Sequence, residues 1–245
     1  MEILRAENIY KSFGTNEVLK GVDIILNEGE IVGLLGISGS GKTTLFNILS
    51  GIYSPDRGRV LLGEEDITGK PGKVSYMLQK DLLFPYRRVI DNVALPLILS
   101  GMSKKEARKK ASPLFETFGL DGTQMLYPSQ LSGGMRQRAA LLRTYLGSKG
   151  VALLDEPFSA LDTITKSKIH KWYLEVMENI RLSTVFITHD IDEAILLSDR
   201  IYILADGMIV NEIVIDKQKP RSEDFNLTDD FLVYKRRIVN SLHLS

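Results

Sequence analysis

The 245-residue chain contains no cysteine, so disulfides and cysteine-bound zinc are excluded and no oxidising compartment is required. An excess of either charge is also missing. Thirty-one Lys plus Arg face 31 Asp plus Glu, which leaves no net field drawing the chain to nucleic acid or anionic lipid. Long hydrophobic runs are absent as well. The longest apolar stretch, residues 93–99, contains Pro96 and falls far short of the ~20 residues that a spanning helix needs. Glu2, Arg5, Glu7 and Lys11 stand where an export signal would place its apolar core, so no export signal is expected. If a membrane matters, a partner supplies it. With 44% hydrophobic and 25% charged residues, the chain can bury a full core as one large domain or as a domain with an inserted subdomain.

Periodicity organises what remains. Val22, Ile24 and Leu26 alternate as in a half-buried strand, and residues 31–35 are continuously apolar, as in a strand covered on both faces. Residues 44–50 read as a helix stopped by Gly51. Strands fit residues 60–62 and 74–77. From 81 to 149 the pattern turns helical with no convincing strand. There Ser103-Lys104-Lys105-Glu106 makes a capping box, and Ala107, Ala111, Leu114, Phe115 and Phe118 form one apolar face ending at Gly119. Strands return at 151–154, 185–188 and 201–204, with a helix around Ile169, Trp172, Val176 and Ile180. Strands alternating with helices predict an α/β fold with a mainly parallel sheet. The expected organisation is one domain over 1–215, interrupted by the helical subdomain 81–149, then a tail over 216–245. In that tail, residues 231–242 read as an amphipathic helix carrying Lys235-Arg236-Arg237.

Three stretches carry chemistry. Gly36-Ile37-Ser38-Gly39-Ser40-Gly41-Lys42-Thr43 fits the phosphate-loop pattern Gly-x-x-x-x-Gly-Lys-Thr between a buried strand and a helix. Its glycines let successive N–H groups converge on phosphates, and the start of the helix at Thr44 adds its dipole. Lys42 supplies positive charge for the β- and γ-oxygens, and the Thr43 hydroxyl is placed to ligate Mg²⁺. Asp155 ends an apolar strand, where a carboxylate near phosphates can hold Mg²⁺ through water. Glu156 points differently and is the candidate general base for hydrolysis. Between the two lies Leu131-Ser132-Gly133-Gly134, a good N-cap with exposed glycine N–H groups at a second helix start. One domain does not need two phosphate sites for one nucleotide.

Placed between a phosphate loop and an acidic strand, Leu131-Ser132-Gly133-Gly134-Met135-Arg136-Gln137-Arg138 resembles the signature motif of ATP-binding cassette (ABC) ATPases. The resemblance implies a P-loop NTPase fold with an N-terminal antiparallel β portion, an inserted helical subdomain, and ATP with Mg²⁺ as cofactors. Phe13 then resembles the aromatic that stacks on adenine, with Val18 beside it. Gln79 resembles the glutamine that ligates Mg²⁺ and senses the membrane partner. Ser159-Ala160-Leu161-Asp162 resembles the D-loop, and His189 the switch histidine that contacts the γ-phosphate. Gly36, Ser38, Gly39, Ser40, Gly41, Lys42, Thr43 and Thr44 would hold the triphosphate on one side, and Ser132 and Gly134 of a second subunit on the other. The motifs span residues 10–207 in family order.

Within the family, Thr188-His189-Asp190-Ile191-Asp192-Glu193-Ala194 looks like the importers. The stretch 158–165, Trp172 and the tail, with Phe231 before Lys235-Arg236-Arg237, are similar to subunits serving nitrate, sulfonate, taurine and pyrimidine-precursor uptake. Lys166 stands where that group usually has arginine. The implied partners are a second copy of the chain on ATP binding, integral-membrane permease subunits and, indirectly, an extracytoplasmic solute-binding protein, but not nucleic acid. The implied place is the cytoplasmic face of the membrane. Residues 80–93, with Phe84, Pro85, Tyr86, Arg87 and Arg88, are the candidate groove for a short permease helix. A second reading stays open here: an ATPase module driving a lipoprotein-release or cell-division complex without import.

Overall fold

The computed structural model describes residues 1–159, 163–217, 219, 221 and 224–243. From the N-terminus, β1 (Glu2–Phe13) and β2 (Asn16–Asn27) form a hairpin and β3 (Ile31–Leu35) leads into α1 (Lys42–Leu49). Strands β4 (Arg57–Leu62), β5 (Glu65–Asp66) and β6 (Ser75–Met77) follow. A helical block comes next: α2 (Val89–Val93), α3 (Leu95–Leu99), α4 (Lys104–Ala111), α5 (Leu114–Thr117) and α6 (Gly133–Gly147). The chain then alternates through β7 (Val151–Asp155), α7 (Thr163–Ile180), β8 (Ser183–Thr188), α8 (Ile191–Leu197) and β9 (Arg200–Ala205). It closes with β10 (Met208–Val214) and α9 (Asp229–His243).

Six strands form the main sheet in the order β10-β9-β3-β8-β7-β6, parallel except for β10 against β9. Every residue of β3 is buried, as expected of a strand with neighbours on both edges and layers on both faces. Register then places the chemistry. Leu35 lies opposite Thr188 and Asp155 opposite Ile187, so the turns after β3, β7 and β8 leave the sheet side by side. These are the carboxyl ends of parallel strands, where open α/β sheets bind their ligands.

The second sheet, β2-β1-β4-β5, is antiparallel and supplies the expected N-terminal β portion. Its inner face (Leu4, Ile9, Val22, Ile24, Val60) packs with Leu45, Phe46 and Leu49 of α1 and with Leu34 and Val185 of the main sheet. The helical block shares its own core with the other face, where Phe115, Phe118 and Leu142 meet Leu154, Tyr173 and Val176. Phe231, Tyr234 and Ile238 of α9 are buried against Ile195, Ile201 and Ile213, so the tail helix packs on the main sheet and α8.

Several expectations change in detail. The apolar face over 107–118 is divided between α4 and α5, because Pro113 follows the end of α4 at Ser112 and Leu114 is only half-buried. Strand β1 escaped the alternation test because its register shifts between Ala6 and Ile9, where Asn8 takes a φ of 51°. Strand β10 escaped it because Met208, Val210 and Val214 lie on its exposed face. Among the described residues no helix is long and apolar enough to cross a membrane.

Candidate functional site

The phosphate loop is shaped by two close approaches. A Cβ on Gly36 would stand 2.3 Å from the Leu204 carbonyl oxygen of β9 and 2.7 Å from Ser40 Oγ, so only glycine fits there. Gly41, the N-cap of α1, has a φ of 104°, a conformation glycine adopts without strain. The loop thereby turns straight into a helix whose first N–H groups have no intrahelical acceptor. Lys42 Nζ folds back to donate to the Gly36 and Ile37 carbonyls at 2.8 Å each. Burial pushes its pKa down, while the Glu156 and Asp155 carboxylates pull it up. Ser40 Oγ is buried with no partner among the described residues, Thr43 is exposed and Thr44 half-buried.

Val18 of β2 lines a cleft of about 320 Å³ with Ile37, Ser38, Gly39 and Ser40. Phe13, half-exposed at the end of β1, sits edge-on to Tyr53 at 6.0 Å and has Lys11 Nζ 5.6 Å from its ring centroid. Phe13 belongs to the hairpin whose second strand carries Val18, but does not itself line this cleft.

Asp155 ends β7 and accepts the Tyr76 hydroxyl at 3.2 Å. Burial pushes its pKa up and the Glu156 charge adds to this, while the Tyr76 hydrogen bond and Lys42 act downward. Glu156 takes a φ of 45°, and its N–H donates to Ile187 O at 3.1 Å. A non-glycine residue in this left-handed region costs about 1–2 kcal/mol. The turn directs the Glu156 carboxylate away from the strand and into a cleft of about 830 Å³. There Gln79 Nε2 donates to Glu156 Oε2 at 2.8 Å, and His189 Nδ1 lies 3.3 Å from Glu156 Oε1. Gln79 Nε2 also lies 3.5 Å from Ser159 Oγ. The turns after β6, β7 and β8 therefore meet at one carboxylate.

Ser132 and Gly134 line neither cleft. Ser132 caps α6, its Oγ accepting the Met135 N–H at 3.2 Å, and both Ser132 and Gly133 are exposed. Asp162 lies outside the described residues. Sequence reasoning missed the anchors behind the cleft. Arg136 Nε donates to Asp81 Oδ2 at 3.2 Å, and the Arg143 guanidinium donates to the Asp81 and Leu82 carbonyls, tying α6 to the segment after Gln79. The i, i+7 spacing of these two arginines on one helix face was the available signal. Tyr76, which holds Asp155, and Gln137, which lines the cleft with a buried, unpartnered Oε1, had none.

Comparison with known proteins gives the class. The profile of the ABC transporter family matches residues 19–159, and the chain belongs to that family. It is 44% identical over 203 residues to the formylaminopyrimidine import ATP-binding protein ThiZ of Halalkalibacterium halodurans, covering 82% of this chain and 79% of the relative. It is 37% identical over 244 residues to the aliphatic sulfonates import ATP-binding protein SsuB 2 of Streptomyces avermitilis, covering 98% and 90%. A dimeric, post-hydrolysis structure of an ATP-binding cassette bound to ADP and Pi superposes with a TM-score of 0.75 at 31% identity, covering 88% of this chain and all of that one. The chain is an ATP-binding, ATP-hydrolysing subunit of the ABC transporter family.

Proposed function

We propose that the chain energises an importer of a small solute of the nitrate, sulfonate, taurine or pyrimidine-precursor type from the cytoplasmic face of the membrane. The observation that carries the catalytic part is the Glu156 carboxylate, aimed by a left-handed turn into a cleft and held between Gln79 and His189. Glu156 polarises the attacking water. Lys42 leaves the Gly36 and Ile37 carbonyls to meet the β- and γ-oxygens, joined by the N–H groups of residues 38–44. His189 contacts the γ-phosphate, and Phe13 and Val18 receive the adenine.

The donor set fits Mg²⁺. The hydroxyl of Thr43, the amide oxygen of Gln79 and the Asp155 carboxylate, the last through water, are hard oxygen donors of the kind Mg²⁺ takes beside phosphates. The buried Asp155, with Glu156 as a like-charged neighbour, is stabilised as an anion by such a cation. Bound there, Mg²⁺ neutralises the charge on the triphosphate. Ser132, Gly134 and Asp162 act on the nucleotide of the partner subunit. The sulfonate and pyrimidine-precursor relatives support the solute class.

The test is reconstitution in vesicles with its permease and solute-binding protein. Solute-stimulated ATP hydrolysis with accumulation on the side of the ATPase supports import. Hydrolysis stimulated without any solute movement overturns it.

A further inference from the structure

His170, on α7, touches the loop that carries Glu156 and the helix that follows His189. Its ring packs edge-on against Phe158 at 5.0 Å, two residues after Glu156. Its Nε2 lies 2.9 Å from Glu193 Oε1 on α8. Glu193 is only 3% exposed, and its other oxygen accepts the Thr188 hydroxyl. Thr188 Oγ1 in turn accepts the Asp190 N–H at 3.0 Å. Both chain neighbours of His189 are therefore fixed by one buried carboxylate. One helical turn before His170, Lys166 Nζ reaches Asp190 Oδ2 at 3.4 Å, while Asp190 Oδ1 caps α8 through the Asp192 and Glu193 N–H groups.

The His189 side chain itself is 61% exposed, and its approach to Glu156 is long. An exposed ring takes its place largely from its backbone. We propose that His170 and Lys166 on α7, acting through Glu193 and Asp190, are positioning residues that keep His189 in register with Glu156. Glu193 and Thr188 are buried, Asp190 and Lys166 partly so, and each carboxylate oxygen of the network is used, which makes its buried half costly to leave unsatisfied. The inference rests on the proposed roles of Glu156 and His189.

Replacing His170 tests it in the full chain, with ATP turnover and nucleotide affinity measured separately. His170→Ala is expected to lower kcat by about tenfold, as small misplacements of catalytic groups do, with KM for ATP within about twofold. His170→Gln, whose amide nitrogen can reach the same carboxylate oxygen, is expected to restore kcat to within about threefold of the parent. An unchanged kcat in His170→Ala overturns the inference. So does His170→Gln falling as far as His170→Ala, or KM moving as far as kcat. If His170→Ala does not fold, Lys166→Met against Lys166→Arg makes the same comparison with the same outcomes. His189→Ala separates the two levels of argument. Parental turnover there removes the reading of His189 itself, whereas loss there with none in His170→Ala removes only the positioning role.

Discussion

The side-chain amide of Gln79 donates to the Glu156 carboxylate at 2.8 Å, joining residues 77 apart in sequence, while His189 Nδ1 approaches the other carboxylate oxygen at 3.3 Å. A carboxylate so held is aimed, and its remaining lone pairs can still accept a proton from water. Glu156→Gln keeps the shape and removes the base. It is expected to retain ATP binding and to lower turnover by about 10²–10⁴-fold. Lys42→Ala is expected to fail earlier, at nucleotide binding, since the buried ammonium is the phosphate-loop cation. Steady-state phosphate release beside a nucleotide titration distinguishes the two. Near-parental hydrolysis by pure Glu156→Gln would remove Glu156 as the base.

The legible part of this site was the part that phosphate chemistry forces into short spacings. Gly36 and Gly41 are constrained by close approach and by φ, and Lys42 and Thr43, the proposed phosphate and Mg²⁺ ligands, follow directly in the chain. Asp155 and Glu156 were legible because they end a continuously apolar run, the carboxyl end of a buried parallel strand. The supports behind them were not. Arg143 reaches the carbonyls of Asp81 and Leu82, and His170 reaches Glu193, across gaps set by the packing of α6 and α7 and marked by no local pattern. The fold follows the same division. Strands β3, β7 and β8 are continuous apolar runs, while β1 is interrupted by bulges that spoil period-two alternation.

The helical block depends on an ion pair whose pH response follows from its sign. Asp91 on α2 receives Arg108 Nε and Nη2 of α4 at 2.8 and 2.7 Å, with Lys104 at 3.4 Å. The Arg108 hydrogen bonds hold the Asp91 carboxyl below the usual range. A depressed carboxylate pKa contributes stability above the unfolded value, and that contribution is lost as pH falls through the folded one. Asp91→Asn is therefore expected to destabilise the chain at pH 7 by about 1–2 kcal/mol, limited by the partial exposure of Arg108. The difference is expected to vanish once the pH lies below the folded pKa of Asp91. Denaturant melts of both proteins at pH 7 and across acid pH check this; a constant difference would exclude the linkage.

Contact with the permease is expected on the loop that Asn92 builds. Asn92 is fully buried, its Oδ1 accepting the Phe84 N–H at 2.6 Å and its Nδ2 donating to the Phe84, Arg87 and Arg88 carbonyls. This buried side chain pushes the loop outward, leaving Tyr86 94% exposed and Phe84 half-exposed. Exposed aromatics beside arginines are the usual anchors of an interface. Because the chain has no native cysteine, cysteines placed at Tyr86 or Arg87 report uniquely. They are expected to cross-link to the permease. Asn92→Ala is expected to reduce permease-stimulated hydrolysis by about tenfold or more, a loss of 1.4 kcal/mol or greater in coupling, while leaving unstimulated hydrolysis within about twofold. Cross-linking only from other faces of the cassette would move the groove.

The last prediction concerns how two copies share a nucleotide. Helix α1 presents free N–H groups beside Lys42, and α6 presents another set behind Ser132 that lines neither cleft of its own chain. Both sets can face one triphosphate only if two chains meet head to tail, giving two shared sites about a twofold axis. Closure then places the γ-phosphate between two groups of donors, so it depends on ATP, and hydrolysis loosens it. Glu156→Gln protein is expected to be mostly monomeric without nucleotide and to shift to a dimer with MgATP, because closure remains while its exit is blocked. Ser132→Arg projects a long side chain from the exposed cap of α6, where the partner's nucleotide has to seat. Added to Glu156→Gln, it is expected to prevent the dimer while leaving ATP binding to the phosphate loop within about threefold, since the two surfaces belong to different chains. Sedimentation with and without MgATP measures the first effect and a nucleotide titration the second. If the double variant dimerises with ATP as readily as Glu156→Gln alone, the α6 terminus is not at the shared site and the nucleotide is held by one chain.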